Sequence, residues 1–474
     1  MSQNYIPQLV FRGKPFITVS AKGISNGLSN TFNDGADFGP DTLLNATAPN
    51  QYGPPFTQTT GIQEALNYLI PLGGGQVILK DPSIYYINEP LQILGNVSIT
   101  ITGATKGWVS ASTGDQWVGP VIAVSSTFSG SQMLSYFSET QNIGSITIEK
   151  LQFLGSPLGN TINGIMTNVV PSGYYQFPQT IIRDVKFSRF NVAFNINSPG
   201  GPNIIDNVQV TSSNTCIVAN ASTHITSLEL FSTGSSTTPS FQANGVINVD
   251  NVFIAGAQGN NDIICSGGQL NINTVYIQPD AEVGFIQNYN QLIIGNLFID
   301  GVNNNQWLLS VASTPSYTEI SNVIMRLSAN YSQLFNYNPG LNYSSSIVNI
   351  KNFEIVPGSY TFALGSLPPG LTNFEIEGLS EVLTTTTNGI TAGTVKAVPL
   401  IYKGNYKKVV FYFNGYENDT TTNQTINYPL PFSTIAAITS NNTGLTISAS
   451  TSGITVTSPN STATFSGIVV VEGY

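Results

Sequence analysis

Thr60-Gly61-Ile62-Gln63-Glu64-Ala65-Leu66-Asn67-Tyr68-Leu69-Ile70-Pro71-Leu72-Gly73-Gly74-Gly75-Gln76-Val77-Ile78-Leu79 changes its hydrophobic period part-way along. Ile62, Leu66, Leu69 and Ile70 recur at helical spacing and form one apolar stripe. Thr60 and Gln63 stand as a capping box, in which each side chain satisfies a backbone donor left open by the first turn. Pro71 and the run Gly73-Gly74-Gly75 end the helix, because proline lacks a donor and glycine resists helical order. Beyond them the period falls to two, through Val77, Leu79, Ile84, Tyr86, Leu91, Ile93, Val97, Ile99 and Ile101. The pattern predicts a capping helix over 60–71, then short strands: a plug on the end of a stack.

Downstream the stack shows itself as a repeat. The unit is apolar, any, small polar turn residue, apolar, any, apolar. It is read at Ile148–Phe153, Ile182–Phe187, Ile205–Val210, Ile225–Leu230, Val249–Ile254, Ile272–Ile277, Ile294–Ile299, Ile320–Met325 and Ile350–Ile355, and in shorter form at Asn373–Ile376. A second apolar cluster precedes most of these units by about ten residues, so each period of roughly 20 to 30 residues carries three short strands. One such coil cannot bury its own apolar face, but stacked coils bury a continuous core. Asparagine suits the corner because it tolerates the left-handed backbone. Asn207, Asn251, Asn296, Asn322 and Asn352 are therefore expected to line one edge as an interrupted ladder. Glu149, Arg183 and Asp206 share one turn position and are expected to stack as a surface ion row.

Three passages carry a family resemblance: Asn33-Asp34-Gly35-Ala36-Asp37, Thr60 to Leu66, and Gly73 to Leu79. Together they resemble the opening of pectate-lyase-like, right-handed parallel β-helix proteins. The resemblance implies an all-β fold: a right-handed parallel β-helix with an N-terminal capping helix. The tail, by its own pattern, reads as strands near 395–401, 407–413, 425–428, 435–439, 445–449, 453–457 and 463–471, a small antiparallel β-sandwich or jelly roll. Its last residues are similar to the C-terminal modules of virus tail fibres. The domain reading is an N-terminal arm over 1–35, the β-helix over 36–383, a Thr/Gly-rich linker over 384–393 and the C-terminal domain over 394–474.

Composition narrows the partners. Only 8% of the 474 residues are charged, against roughly 25% in ordinary soluble domains. With 15 Lys+Arg against 25 Asp+Glu and a net charge of −10, the chain lacks the clustered cations that phosphate backbones require. No apolar run reaches the roughly 18 residues of a membrane helix, and residues 1–16 show no export signal. Cys216 and Cys265 read as buried thiols, and the Asp residues of 33–41 as turn formers, so no metal and no cofactor is expected.

The resemblance also implies where chemistry would sit. Relatives that hydrolyse polygalacturonate carry Asn-x-Asp, Asp-Asp, Gly-His-Gly and Arg-x-Lys motifs, and none occurs here; the sole histidine is His224. The carboxylates offered for catalysis are Asp262, Glu282 and Asp280. The outward row of the first strand in each coil, where the superfamily builds its groove, is read as Thr167, Asn195, Asn220, Asn244, Asn288, Ser310 and Asn336. Asn195, Asn220, Asn288, Tyr289, Asn336 and Tyr337 are the carbohydrate-binding candidates, and tyrosines 174, 175, 276, 331 and 343 further stacking faces. Asn-x-Ser/Thr sequons stand at Asn45, Asn96, Asn220, Asn330, Asn342, Asn418, Asn423, Asn441 and Asn460. The expectation is a homotrimeric virion tailspike or fibre of an archaeal virus. It would bind host-surface glycans or glycoproteins and join other virion proteins through the N-terminal arm. A polysaccharide lyase or glycoside hydrolase, and a cell-surface adhesion or surface-layer glycoprotein, are the alternatives.

Overall fold

The computed structural model describes residues 15–22, 35–104, 108–111, 114–117, 119–140, 144–156, 159, 161–167, 172–176, 179–197, 203–231, 238–256, 261–279, 284–302, 306–329, 331, 333–356, 368–377, 381–383, 390–403, 406–418, 424–427, 432–440, 446–457 and 464–474. The chain divides into two compact units, Met1–Thr233 and Gly234–Tyr474. It is mostly β: long parallel sheets form a β-helix, a short helix lies near the N-terminus, and small antiparallel sheets lie near the C-terminus.

In the first unit the helix is Ile62–Leu69, followed by a 3-10 turn over Ile70–Leu72. Ile62, Leu66 and Leu69 are fully buried, as the stripe requires. The capping box does not form. Thr60 (φ 54) and Gly61 (φ 81) are both left-handed. That turns the Thr60 hydroxyl away from the helix, to donate to Tyr86 O. Thr59 takes its place: its Oγ1 accepts from Gln63 N at 3.1 Å. Buried Glu64 accepts from Thr57 Oγ1 at 2.6 Å and Thr59 Oγ1 at 3.2 Å, tying the incoming loop to the first turn. Each glycine of the triplet is required. Gly73 is the left-handed cap (φ 81), a Cβ on Gly74 would lie 2.2 Å from Ser98 O, and one on Gly75 would lie 2.4 Å from Pro15 O.

That last contact arises because Phe16–Val19 pairs in parallel with Gly74–Leu79. Residues 16–19, of the segment read as the N-terminal arm, are a strand of the solenoid. Asp34 lies outside the described residues. Asp37 is a turn former: its Oδ2 accepts from Thr18 N and Thr18 Oγ1, both at 2.8 Å.

The coils follow the repeat. In the first unit Ser145–Leu154, Gln179–Ser188, Asn203–Thr211 and Thr223–Phe231 pair in parallel, in register. A second sheet stacks Leu91–Leu94, Gln132–Ser138, Asn163–Met166, Val192–Ile196 and Thr215–Ala219. In Ser145–Leu154 buried residues alternate on both sides of two adjacent half-exposed residues, Glu149 and Lys150. Two inward residues separated by such a pair can both face the core only if the strand bends there. Hence two of the three expected strands of a coil are arms of one bent strand. Phe187 packs between Phe153, stacked at 5.2 Å, and Phe194 at 5.1 Å. Cys216 is buried in this core.

The second unit repeats the plan. Val246–Ala255, Gln269–Gln278, Gln291–Val302 and Tyr317–Leu327 form one parallel face. Phe241–Ala243, Ile263–Cys265, Gly284–Asn288, Trp307–Val311 and Phe335–Tyr337 form the other. Burial pushes the Cys265 thiol up to about 11, with its Sγ 3.3 Å from Gln291 O. All the expected tail strands are present. Ile390–Lys403, Tyr406–Asn418, Thr464–Gly473 and Ile435–Ser440 make one antiparallel sheet, and Gln424–Asn427, Gly453–Thr457 and Thr446–Ala449 another. The first sheet joins the last coil, because Asn373–Ile376 pairs antiparallel with Ile390–Lys403. Residues 390–393, expected as linker, are therefore strand.

Candidate functional site

The short-strand face of the second unit carries the outward row. Pairing aligns Gln242, Ile264, Gln287, Ser310 and Asn336, each on the rung next to the last, about 4.8 Å apart. Tyr289, 39% exposed, stands beside this row, and Gln287 Nε2 donates to its hydroxyl at 3.0 Å. Gln287 Oε1 accepts from Asn261 Nδ2 at 3.1 Å, and Asn336 Nδ2 lies 3.4 Å from Ser310 Oγ. Ile264 is apolar and Ser310 only 3% exposed, so the row presents the neutral amides Gln242, Gln287 and Asn336, with an aromatic face held in place beside them. Polysaccharide hydroxyls and ring C–H faces are recognised by such groups.

Asn288 does not belong to this row. It aligns with Val311 and Tyr337 and is fully buried. Its Nδ2 donates to Tyr317 O and Thr318 Oγ1, each at 2.8 Å, so it staples two coils. The sequence row placed Asn288 with Asn336, one residue out of register, and a one-residue slip moves a side chain to the other face. Gln287 was missed for the same reason, and Gln242 because Asn244, two residues further on, was read in its place. Aligning the coils on Ile263, Ile286, Leu309 and Phe335 recovers them.

The other candidates are dispersed. Asn195, 7% exposed, accepts from Asn220 Nδ2 at 2.8 Å in the first unit, and Thr167 there is buried. Tyr337 is half-buried and meets buried Tyr343 edge-on at 6.5 Å. Tyr331 is buried too, its hydroxyl accepting from Leu308 N, so neither Tyr331 nor Tyr343 offers a stacking face. Tyr175 is exposed, and Tyr276 stacks on Phe253 at 5.2 Å. Asp262 has no exposure, so its carboxyl cannot meet a glycan at the surface, while Asp280 and Glu282 lie outside the described residues. His224 is half-buried on the outer side of Thr223–Phe231, in register with Ile204.

Outward carboxylates do occur on the bent-strand face of the second unit. Glu319, Asn349 and Glu375 align on successive rungs, and Tyr317 donates to Glu319 Oε2. That bond raises the Tyr317 pKa, with burial adding to it. Among the described residues no group of three or more His, Cys, Asp or Glu has metal-holding geometry.

Of the sequons, Asn45 is exposed in a left-handed turn (φ 62). Asn96 is exposed but hydrogen-bonds Thr140 and Ser138, and Asn342 accepts from Ser344 N. Asn220 is tied to Asn195, and Asn418 ends its strand. Asn330, Asn423, Asn441 and Asn460 lie outside the described residues.

No family model and no curated protein sequence matches the chain. Solved structures do match, at low identity. The chain is similar to the mannuronan C-5 epimerase A-module of Azotobacter vinelandii at 12% identity and TM-score 0.39, covering 67% of this chain and 93% of that one. It is similar to a tailspike protein of Acinetobacter baumannii bacteriophage Fri1, a capsular polysaccharide depolymerase, at 12% identity and TM-score 0.36, covering 96% and 86%. It is likewise similar to the enzymatically active domain of bacteriophage CBA120 tailspike protein 4, at 12% and 0.41, covering 92% and 69%. These likenesses concern the path of the chain; function has to be read from the side chains.

Proposed function

We propose that this protein is a tailspike- or fibre-type attachment protein that holds a neutral host-surface glycan against its solenoid. The observation that carries this reading is the outward, uncharged set Gln242, Gln287 and Asn336, with Tyr289 fixed beside it. These amides recur every two rungs, about 9.6 Å, which gives a repeating ligand a repeating set of partners. In the same reading the particle carries the protein as a homotrimer on its surface, residues of the 1–35 segment other than 16–19 contact further virion proteins, and the host is archaeal. Saturation-transfer NMR with neutral cell-surface polysaccharide tests the face. Tyr289→Ala and Gln287→Ala should each weaken binding about tenfold, and unchanged binding in both defeats the reading. Native mass spectrometry returning a monomer, with the protein missing from purified virions, defeats the virion assignment.

A hydrolytic reading is favoured by a different observation: Glu319 and Glu375 stand two rungs apart across Asn349. Two rungs are about 9.6 Å, near the upper limit of the roughly 6.5–9.5 Å separation used for inversion at a glycosidic carbon. One glutamate would deprotonate the attacking water as the other protonates the leaving oxygen. Release of reducing ends from host glycan, abolished in Glu319→Gln and in Glu375→Gln, is the outcome this reading requires.

A further inference from the structure

The geometry points to a second binding site, for a neutral oligosaccharide, in the cleft between the capping helix and the strand Leu91–Leu94. The cleft has a volume of about 670 Å³, within the roughly 300–1,000 Å³ of small-molecule sites. Gln63 and Asn67 form one wall, one helical turn apart, and Glu89 and Gln92 the other. Ile70 and Leu94 give it an apolar floor.

The walls are held before any ligand arrives. Gln63 bridges them, accepting from Gln92 N at 2.8 Å and donating to Gln92 O at 2.9 Å. Gln63 Nε2 also donates to Asn67 Oδ1 at 2.8 Å. This fixes the orientation of the Asn67 amide, whose Nδ2 supplies a donor on the ridge that lines the cleft. Glu89 supplies an acceptor, and the Gln92 side chain, exposed to solvent, supplies both functions.

The chemistry of the lining selects the ligand. It contains no Lys or Arg, and its one charged residue is an acid. A phosphate, sulfate or uronate would meet repulsion with no cation to offset it. A neutral sugar asks for what is present: amide and carboxylate partners for hydroxyls, and apolar floor for the ring's C–H face. A second hollow of about 280 Å³ shares Asn67 and Pro71 with the first and is faced by Tyr68 and Leu72. Two hollows on either side of one Asn67–Pro71 ridge fit a ligand of at least two rings.

The test uses the full chain, with mannotriose and maltotriose as neutral probes and trigalacturonate as the acidic one, followed by saturation-transfer NMR and calorimetry. Wild type should bind a neutral probe and not trigalacturonate. Asn67→Trp, which intrudes on the ridge between the two hollows, should lower that binding at least tenfold, and Asn67→Ala, which removes only the donor, should lower it less. Asn67 is exposed on the helix, so both variants should keep the wild-type circular dichroism and melting temperature. Glu89→Lys should admit trigalacturonate. Tyr289→Ala separates this site from the solenoid face: binding that survives Tyr289→Ala but is lost in Asn67→Trp belongs to the cleft. Binding lost in Tyr289→Ala yet intact in Asn67→Trp overturns the cleft and leaves the solenoid face standing. Failure of wild type to bind either neutral probe also overturns it.

Discussion

The two units turn the same corner in different ways. In the first, the residue that drops out of the parallel ladder is the third of the six-residue repeat: Lys150, Asp184 and Asn207, all left-handed with φ of 58, 54 and 51. The second-position residues stay in register and stack outward as Glu149, Arg183 and Asp206. Arg183 Nε lies 3.3 Å from Asp206 Oδ2, while Glu149 accepts from Thr102 Oγ1 and pairs with Lys150 at 4.0 Å. In the second unit, from Val246–Ala255 to Tyr317–Leu327, the unpaired residue moves one position earlier, to Asp250, Asn273, Gly295 and Ser321, none of them a left-handed non-glycine; the next coil returns to a left-handed third residue, Asn352 (φ 46). The third position now stays in the ladder, as Asn251, Thr274, Asn296 and Asn322. Asn322 Nδ2 donates to Asn296 Oδ1 at 2.9 Å and Gly295 O at 3.1 Å, and Asn352 Nδ2 donates to Asn322 Oδ1 at 2.9 Å. The lesson is that whichever side chain stacks along the edge must suit its neighbour in the adjacent coil, about 4.8 Å away. Opposite charges do so, and so do amides, which are donor and acceptor at once.

That contrast can be broken at its strongest point first. Asn322→Ala should cost about 1–3 kcal/mol, because it removes the middle of a partly buried amide ladder and strands its neighbours. Denaturant unfolding followed by a probe in residues 234–474 measures it, and added salt should leave the loss unchanged. Next, Lys150→Asn should stabilise the first unit by about 0.5–1 kcal/mol, since a lysine there bears a left-handed backbone that asparagine adopts more readily. The equivalent change at Thr274, which is not left-handed, should bring no such gain. Smaller still, Arg183→Met should cost under about 1 kcal/mol, because the ion pair is nearly half exposed, and the cost should shrink at high salt.

The pH response should also differ between regions. In the C-terminal sheet Lys408 Nζ lies 2.7 Å from Glu472 Oε1. Hydrogen bonds from Lys408, then Tyr406, lower the Glu472 pKa, and the bond to Glu472 raises that of Lys408. A lowered carboxyl pKa gives stability that is present above the ordinary glutamate value and lost as pH falls through the lowered one. A raised lysine pKa gives stability that is present below the ordinary lysine value and lost as pH rises through the raised one. The pair should therefore support this sheet across the neutral range. Melting temperature against pH should show a shallower acid limb in Glu472→Gln, by a degree or two at most, given the solvent around the pair.

Much of this was legible in the chain. The helix stripe, the glycine triplet, the repeat and every tail strand could be read because each depends on local period and turn chemistry. The ion row at Glu149, Arg183 and Asp206 was legible for the same reason. The site was less so. Gln287 and Asn288 are neighbours of similar chemistry, one outward and one buried, and only the pairing of Gln287 with Ser310 distinguishes them. Likewise Thr59 rather than Thr60 caps the helix because two successive left-handed residues redirect the chain, which no cap motif encodes.

A stack of coils with a helical plug and a β-rich tail is written into the residues one after another, because periodicity and glycine are local properties. Which polar side chains face outward, which corner each coil turns, and the bonds by which Gln63 joins the helix to Gln92 all come from long-range pairing. Those depend on register between residues some 20 to 30 positions apart, and a shift of one residue in that register exchanges the inside of a strand for the outside.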